Sequence, residues 1–155
     1  MHLWLAWLDK VRQSLSRRVC DRGGYLRKCP EFKLLSEAIV GNVVYIDDEK
    51  TLCRVFERIM RRFGVTAVTF EDPVQALDHI RQADDVVAIA CDYRMPGMTG
   101  MQVLDELTPC EKPFFIVSGD HTLNATLVTD PRLAGVLNKP FSRDTLQQSF
   151  GQFAN

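Results

Sequence analysis

Four groups of reactive side chains each follow a short apolar run in this 155-residue chain. They are Asp47-Asp48, Asp92, Ser118 and Lys139. Short apolar runs bounded by turn-forming residues predict buried parallel strands, and the carboxyl ends of such strands meet at one edge of a sheet. The sequence therefore predicts a pocket that contains three carboxylates, a hydroxyl and an ammonium group.

The chemistry of this set points to phosphoryl transfer. Three carboxylates within about 4 Å of one another repel by about 4 kcal/mol per pair at an effective dielectric constant of about 20, so the cluster requires a cation. Mg²⁺ is the favoured cation, because it prefers oxygen ligands and keeps part of its hydration when bound. Lys139 adds a second positive charge, Ser118 adds a hydroxyl donor, and Asp92 can attack a phosphoryl group in line. If Asp92 is considered alone, the alternative to this reactive role is an acid that only caps or solvates a strand end.

The elements that must position these groups alternate regularly from residue 43 onward. Strands are predicted over 43–46, 65–70, 86–91, 113–117 and 134–137, and apolar residues at helical spacing follow each one. Asp72 and Ser142 are predicted helix N-caps, with Pro73 in the first turn. This order predicts an α/β fold with a doubly wound five-stranded parallel sheet.

Composition limits the function classes. The chain is 46% hydrophobic and 25% charged, as expected for a globular domain. Its five cysteines lack metal-binding spacing, which predicts reduced thiols in a cytoplasmic protein. Residues 1–40 carry eight Lys/Arg and four Asp/Glu, whereas residues 41–155 carry eleven and sixteen. The acidic body argues against nucleic-acid binding by the main domain.

We place a domain boundary at residue 40, with a basic, partly helical or disordered extension before a folded domain at 41–155. Within residues 1–19, Trp4, Leu8, Val11 and Leu15 share one helix face. The apolar stretch is too short to span a membrane. Three alternatives stay open: a loose extension, a helix packed on the domain or on a second copy of the chain, and an amphipathic helix at a membrane surface.

Residues 42–153 resemble the receiver domain of response regulators in two-component signalling. The matching motifs, in chain order, are Asp47-Asp48, Asp92-Tyr93-Arg94-Met95-Pro96-Gly97, Ser118-Gly119 and Lys139-Pro140-Phe141. The resemblance implies a flavodoxin-like (βα)5 fold and a phosphoryl group accepted on Asp92 from a histidine kinase or a histidine phosphotransfer protein. It also implies control of a separate protein target, and no enzymatic activity beyond the domain's own phosphorylation and dephosphorylation. A homodimer is left open.

The resemblance further implies a Mg²⁺ site formed by Asp48, Asp92 and the backbone carbonyl of Arg94, with Asp47 bound through water.

One position departs from the family pattern. Val136 stands three residues before Lys139, where such domains usually carry an aromatic switch residue. The usual coupling between phosphorylation and conformational change is therefore in question. A receiver-like interaction module that works without phosphorylation is the alternative function.

An enzyme of the haloacid dehalogenase type would also use an aspartyl phosphate and Mg²⁺. Its nucleophile follows the first strand in an Asp-x-Asp arrangement, whereas this chain has Asp47-Asp48-Glu49 there.

A second prediction concerns Arg94 and Asp120, which stand two residues after Asp92 and Ser118. We expect them to pair across the pocket, hinder an attacking water and lengthen the lifetime of the acyl phosphate. Two independent solvated side chains are the alternative.

Overall fold

A computed structural model describes residues 41–109 and 111–154 of the chain. Its five parallel strands form one sheet in the order β2-β1-β3-β4-β5. The strands are β1 (Asn42–Ile46), β2 (Thr66–Phe70), β3 (Val86–Asp92), β4 (Phe114–Ser118) and β5 (Gly135–Asn138). The predicted doubly wound parallel sheet is confirmed, and each strand boundary lies within one residue of its prediction.

Five helices alternate with the strands. They are α1 (Lys50–Arg61), α2 (Pro73–Gln82), α3 (Gly100–Glu106), α4 (His121–Leu127) and α5 (Arg143–Phe150), followed by a 3₁₀ helix at Gly151–Phe153. Both predicted N-caps are present: Asp72 accepts a hydrogen bond from the Val74 amide, and Ser142 accepts one from the Thr145 amide. The predicted extension at residues 1–40 lies outside the described residues.

The core lies on both faces of the sheet. Val43 and Tyr45 of β1 contribute to the layer that contains α1 and α5, whereas Val44 and Ile46 contribute to the layer that contains α2, α3 and α4. This division follows from the two-residue period of a strand. Because both faces are covered, β1 is apolar at consecutive positions. Within the described residues, no helix is long and apolar enough to cross a membrane.

Candidate functional site

The site lies at the carboxyl edge of the sheet, where the strand order reverses between β1 and β3. Two of its side chains directly follow strand ends and are fixed by backbone hydrogen bonds that continue the sheet. The Asp47 amide donates to the Phe70 carbonyl at 3.1 Å, and the Lys139 amide donates to the Ser118 carbonyl at 2.9 Å. Asp92 is the last residue of β3. The fold therefore gathers groups that are far apart in the chain.

Lys139 bridges two buried carboxylates. Its Nζ lies 2.8 Å from Asp47 Oδ2 and 2.7 Å from Asp92 Oδ1. Asp47 is 0% exposed and Asp92 is 6% exposed. Burial alone would lower the pKa of Lys139, but its bonds to both carboxylates outweigh burial and raise it. Burial raises the pKa of Asp92, and Lys139 opposes this rise only in part. One ammonium group thus compensates two buried acids.

The remaining predicted groups surround Asp92. The Arg94 amide donates to Asp92 Oδ2 at 3.1 Å, which leaves Oδ1 to Lys139. Ser118 is buried at the end of β4, and its hydroxyl oxygen accepts a hydrogen bond from the Asp120 amide at 3.0 Å. A cleft of about 640 Å³ lies over these residues and is lined by Asp92, Ser118 and Lys139 among others. Asp92 is therefore a largely buried carboxylate that lines this cleft.

Tyr45 belongs to the site, although the sequence pattern predicts only a buried strand position for it. Its buried hydroxyl donates a short hydrogen bond to Asp47 Oδ2, and the Glu49 amide donates to Asp47 Oδ1 at 2.9 Å. Burial, followed by the neighbouring Asp47, raises the pKa of Tyr45. The signal was available in the sequence, because residues two apart on a strand point to the same face.

Residues 43–150 match the response regulator receiver domain family. The chain belongs to this family. Its receiver domain is 30% identical over 107 residues to the DNA-binding transcriptional regulator NtrC of Escherichia coli (strain K12), covering 67% of this chain and 23% of NtrC. It is 29% identical over 82 residues to the putative two-component response regulator ARR21 of Arabidopsis thaliana, covering 51% of this chain and 13% of that protein. The matched part is less than a quarter of either relative.

Solved structures show the same fold. The receiver domain of Francisella response regulator 1452 superposes with a TM-score of 0.64 at 25% identity, covering 73% of this chain and 96% of that chain. The chemotaxis response regulator CheY4 of Vibrio cholerae superposes with a TM-score of 0.64 at 20% identity, covering 74% and 98%. The flavodoxin-like receiver fold predicted from the sequence is thereby confirmed.

The predicted cluster of three carboxylates is not assembled in this receiver domain. Asp48 is exposed, whereas Asp47 is fully buried. Among the described residues, no group of three or more His, Cys, Asp or Glu side chains is close enough to hold a metal ion. The physical reason is that Asp47 and Asp48 are consecutive, so their side chains leave the strand end in different directions, and Lys139 supplies the positive charge beside the two buried acids, Asp47 and Asp92. The donor types still fit Mg²⁺, since all of them are oxygens.

Val136 lies on β5 and is partly buried against the layer that contains α2, α3 and α4. Its neighbours in that layer include Leu123 and Leu127 of α4. The side chain at the usual aromatic switch position is therefore a small aliphatic group on the face opposite Tyr45. This receiver domain has no ring at that position that could turn inward on phosphorylation.

The predicted contact between Arg94 and Asp120 is present. Arg94 Nη2 lies 2.9 Å from Asp120 Oδ2, and both side chains line the cleft. The other oxygen of Asp120 accepts hydrogen bonds from the amides of Thr122 and Leu123 at 3.1 Å, which caps the start of α4. The Leu123 amide and these further donors lower the pKa of Asp120. The pair therefore joins two residues of the cleft lining and is anchored to the start of α4 through Asp120.

Proposed function

We propose that this receiver domain accepts a phosphoryl group on Asp92 from a histidine kinase or a histidine phosphotransfer protein, in a Mg²⁺-dependent reaction, and controls a separate protein target. The observation that supports this most is the buried Asp92 carboxylate, which lines the cleft and lies 2.7 Å from Lys139 Nζ. The domain acts on no other substrate, catalysing only its own phosphorylation and dephosphorylation. The net negative charge of residues 41–155 argues against nucleic acid as its direct partner.

In the phosphorylation step, a carboxylate oxygen of Asp92 forms a bond to phosphorus as the phosphorus–nitrogen bond of the donor histidine breaks. The departing imidazole takes up a proton. Lys139 is placed to neutralise the phosphoryl oxygens, and Ser118 supplies a hydroxyl at the cleft wall. The Arg94 amide holds one Asp92 oxygen at 3.1 Å and so orients the carboxylate for attack.

Asp48, Asp92 and the Arg94 carbonyl would hold Mg²⁺, with Asp47 bound through water. When bound, the ion would neutralise negative charge on the phosphoryl oxygens. We place the reaction in the cytoplasm, because Cys53 and Cys91 are buried free thiols, as expected in a reducing compartment.

The deciding experiment is intact-mass analysis after incubation with acetyl phosphate and Mg²⁺. Wild type should gain one phosphoryl group, and this gain should be lost in Asp92→Asn and in the absence of Mg²⁺. Asp105→Asn is the matched control, because Asp105 is an exposed α3 residue that pairs with Arg132 outside the cleft. No gain in wild type, with acetyl phosphate or with a phosphohistidine donor, would refute the proposal and favour an interaction module that works without phosphorylation.

The Arg94–Asp120 pair leads to a prediction about phosphate lifetime. Arg94→Ala should accelerate loss of the acyl phosphate by up to about fivefold, because an exposed pair contributes about 0–1 kcal/mol and the opened cleft admits water more easily. The decay of the phosphorylated mass after donor removal measures this rate.

Asp120→Asn is the companion variant, because asparagine keeps an oxygen that can cap α4 but loses the charge that attracts Arg94. It should accelerate the decay as Arg94→Ala does. Equal lifetimes in wild type and both variants would show that the pair does not control water attack. In the wild type the pair should weaken as pH falls through the lowered pKa of Asp120.

A further inference from the structure

Tyr45 is the one side chain of β1 that contacts both the acidic pocket and the core layer of α1 and α5. Its hydroxyl bonds to Asp47 Oδ2, the same oxygen that Lys139 contacts. Its ring stacks on Phe56 of α1, with ring centroids 4.2 Å apart and planes inclined by 12°. Tyr45 and Phe56 are both 0% exposed. A change at the Asp47 side chain can therefore reach the core through the rigid ring of Tyr45.

The ring of Tyr45 belongs to an aromatic cluster that extends to α5. Phe141 packs edge-on against Tyr45 and Phe56, with centroid distances of 6.0 and 5.7 Å. Phe150 of α5 packs against Phe56 at 5.9 Å. We call Tyr45, Phe56, Phe141 and Phe150 the aromatic cluster. Two side chains contact Asp47 Oδ2, namely Tyr45 and Lys139. Tyr45 is a member of this cluster, and Lys139 stands two residues before another member, Phe141.

Phosphorylation of Asp92 would change the charge balance at this point. A phosphoryl group brings roughly two negative charges and strong acceptor oxygens. Lys139, now shared between Asp47 and Asp92, would be drawn toward the new charge. Asp47 would then rely more on the hydroxyl of Tyr45. Since protein interiors are close-packed, a small displacement of this ring must be accommodated by the rings that touch it.

We propose that Tyr45 is a positioning residue that holds Asp47 and transmits the phosphorylation state of the pocket to the aromatic cluster, and so to the α1 and α5 face of the domain. This inference rests on the proposed function, because it requires phosphorylation of Asp92. It assigns the coupling role to a ring on β1, on the sheet face opposite Val136. The surface of α1 and α5 is then the part of the domain that changes most.

The test is NMR of the full-length chain with ¹³C-labelled phenylalanine and leucine, before and after addition of Mg²⁺ and beryllofluoride, a tetrahedral mimic of the phosphoryl group. In wild type, the ring signals of Phe56 and Phe150 should shift. In Tyr45→Phe, which keeps the ring and removes only the hydroxyl, these shifts should be largely lost. The methyl signals of Leu123 and Leu127 in α4 should respond alike in both proteins, because they pack in the other layer.

Tyr93→Phe is the matched control, since it removes a tyrosine hydroxyl from the residue that follows Asp92 in the chain and packs against the layer of α2, α3 and α4. Its Phe56 and Phe150 shifts should equal those of wild type. Phe56→Leu provides a second variant that keeps the Tyr45 hydroxyl but removes the stacking partner, and it should abolish the Phe150 response. Phe56 and Phe150 shifts of wild-type size in Tyr45→Phe would overturn the inference.

Failure of the inference is distinguishable from failure of the proposed function. Intact mass on the same preparations reports phosphorylation by acetyl phosphate. If wild type gains the phosphoryl group and binds beryllofluoride while Phe56 and Phe150 do not shift, the coupling through Tyr45 is refuted and the phosphoacceptor stands. If wild type gains no phosphoryl group from any donor, the proposed function and this inference are refuted together.

Discussion

Replacing Lys139 with methionine is expected to lower the free energy of unfolding at pH 7 by about 3 kcal/mol, the lower end of the range for breaking a buried ion pair. The lower end applies because the Lys139 side chain is 18% exposed. Methionine keeps most of the apolar stem and removes the charge. Asp47 and Asp92 are then left facing each other in a buried site without the ammonium group that lies 2.8 and 2.7 Å from them.

The loss should depend on pH with a defined sign. Burial already raises the pKa of Asp92, and removal of Lys139 removes the main influence that opposes this rise. The folded variant therefore retains a proton at pH values where the unfolded chain has lost it. Its stability should fall as pH rises from about 4, the ordinary aspartate pKa, through the raised pKa of the folded state. The destabilisation should accordingly be smaller at pH 5 than at pH 7.

Urea unfolding at pH 5 and pH 7 measures both effects. Lys139→Arg should retain most of the stability, because it keeps a positive charge with two carboxylate-binding faces. The double variant Lys139→Met with Asp92→Asn should recover much of the loss, since only one buried carboxylate then remains. A Lys139→Met variant as stable as wild type at pH 7 would show that Lys139 does not compensate these acids.

The sequence could predict the strands and the residues that meet at their carboxyl ends. Strand boundaries were predictable to within one residue, because buried parallel strands are continuous apolar runs bounded by turn residues. The convergence of Asp47, Asp92, Ser118 and Lys139 followed from the common carboxyl edge of the strands. The pattern of apolar runs predicts where the backbone of each strand begins and ends. That is sufficient to predict which residues become neighbours at the edge of the sheet.

The sequence could not predict how the side chains share their charges. Asp47 and Asp48 are consecutive, so their side chains leave the strand end in different directions, one buried and one exposed. From the sequence, Lys139 could pair with any of the acids at this edge of the sheet. Only the packed structure shows that it bridges Asp47 and Asp92. The hydrogen bond from Tyr45 depends likewise on the ring position that Phe56 sets. These are choices among rotamers, which residue spacing does not specify.

Gly100 is under a steric constraint that residue spacing does not reveal, because a glycine in the turn after Asp92 is compatible with any flexible loop. It is the first residue of α3, and its amide donates to the Tyr93 carbonyl at 3.0 Å. A Cβ atom at this position would lie 2.5 Å from the Asp92 carbonyl oxygen and 2.8 Å from Ile116 Cδ1. The absence of a side chain is what allows α3 to begin directly against the end of β3.

Gly100→Ala should therefore affect both stability and phosphorylation. Overpacking of this kind costs about 1–3 kcal/mol of unfolding free energy. Relief of the clash requires movement of the Asp92 backbone, and a displacement of about 1 Å at a reacting group can slow a reaction by about 100-fold. The rate of phosphorylation by acetyl phosphate, followed by intact mass under folded conditions, is the deciding measurement.

Two alanine variants separate the site effect of Gly100→Ala from general destabilisation. Gly41→Ala places a Cβ atom in collision with Val87 Cγ1 and the Asp85 carbonyl oxygen, at the opposite end of β1 from Asp47, so it should destabilise the fold while phosphorylation of the folded protein proceeds normally. Gly119→Ala lies at the site, but its Cβ atom would be 3.9 Å from Lys139 Cβ, an ordinary contact, so it should leave stability nearly unchanged. If Gly100→Ala were phosphorylated as fast as Gly41→Ala, the close approach of α3 to β3 would be a packing constraint alone. A selective loss of rate in Gly100→Ala would instead show that this contact sets the position of the Asp92 nucleophile.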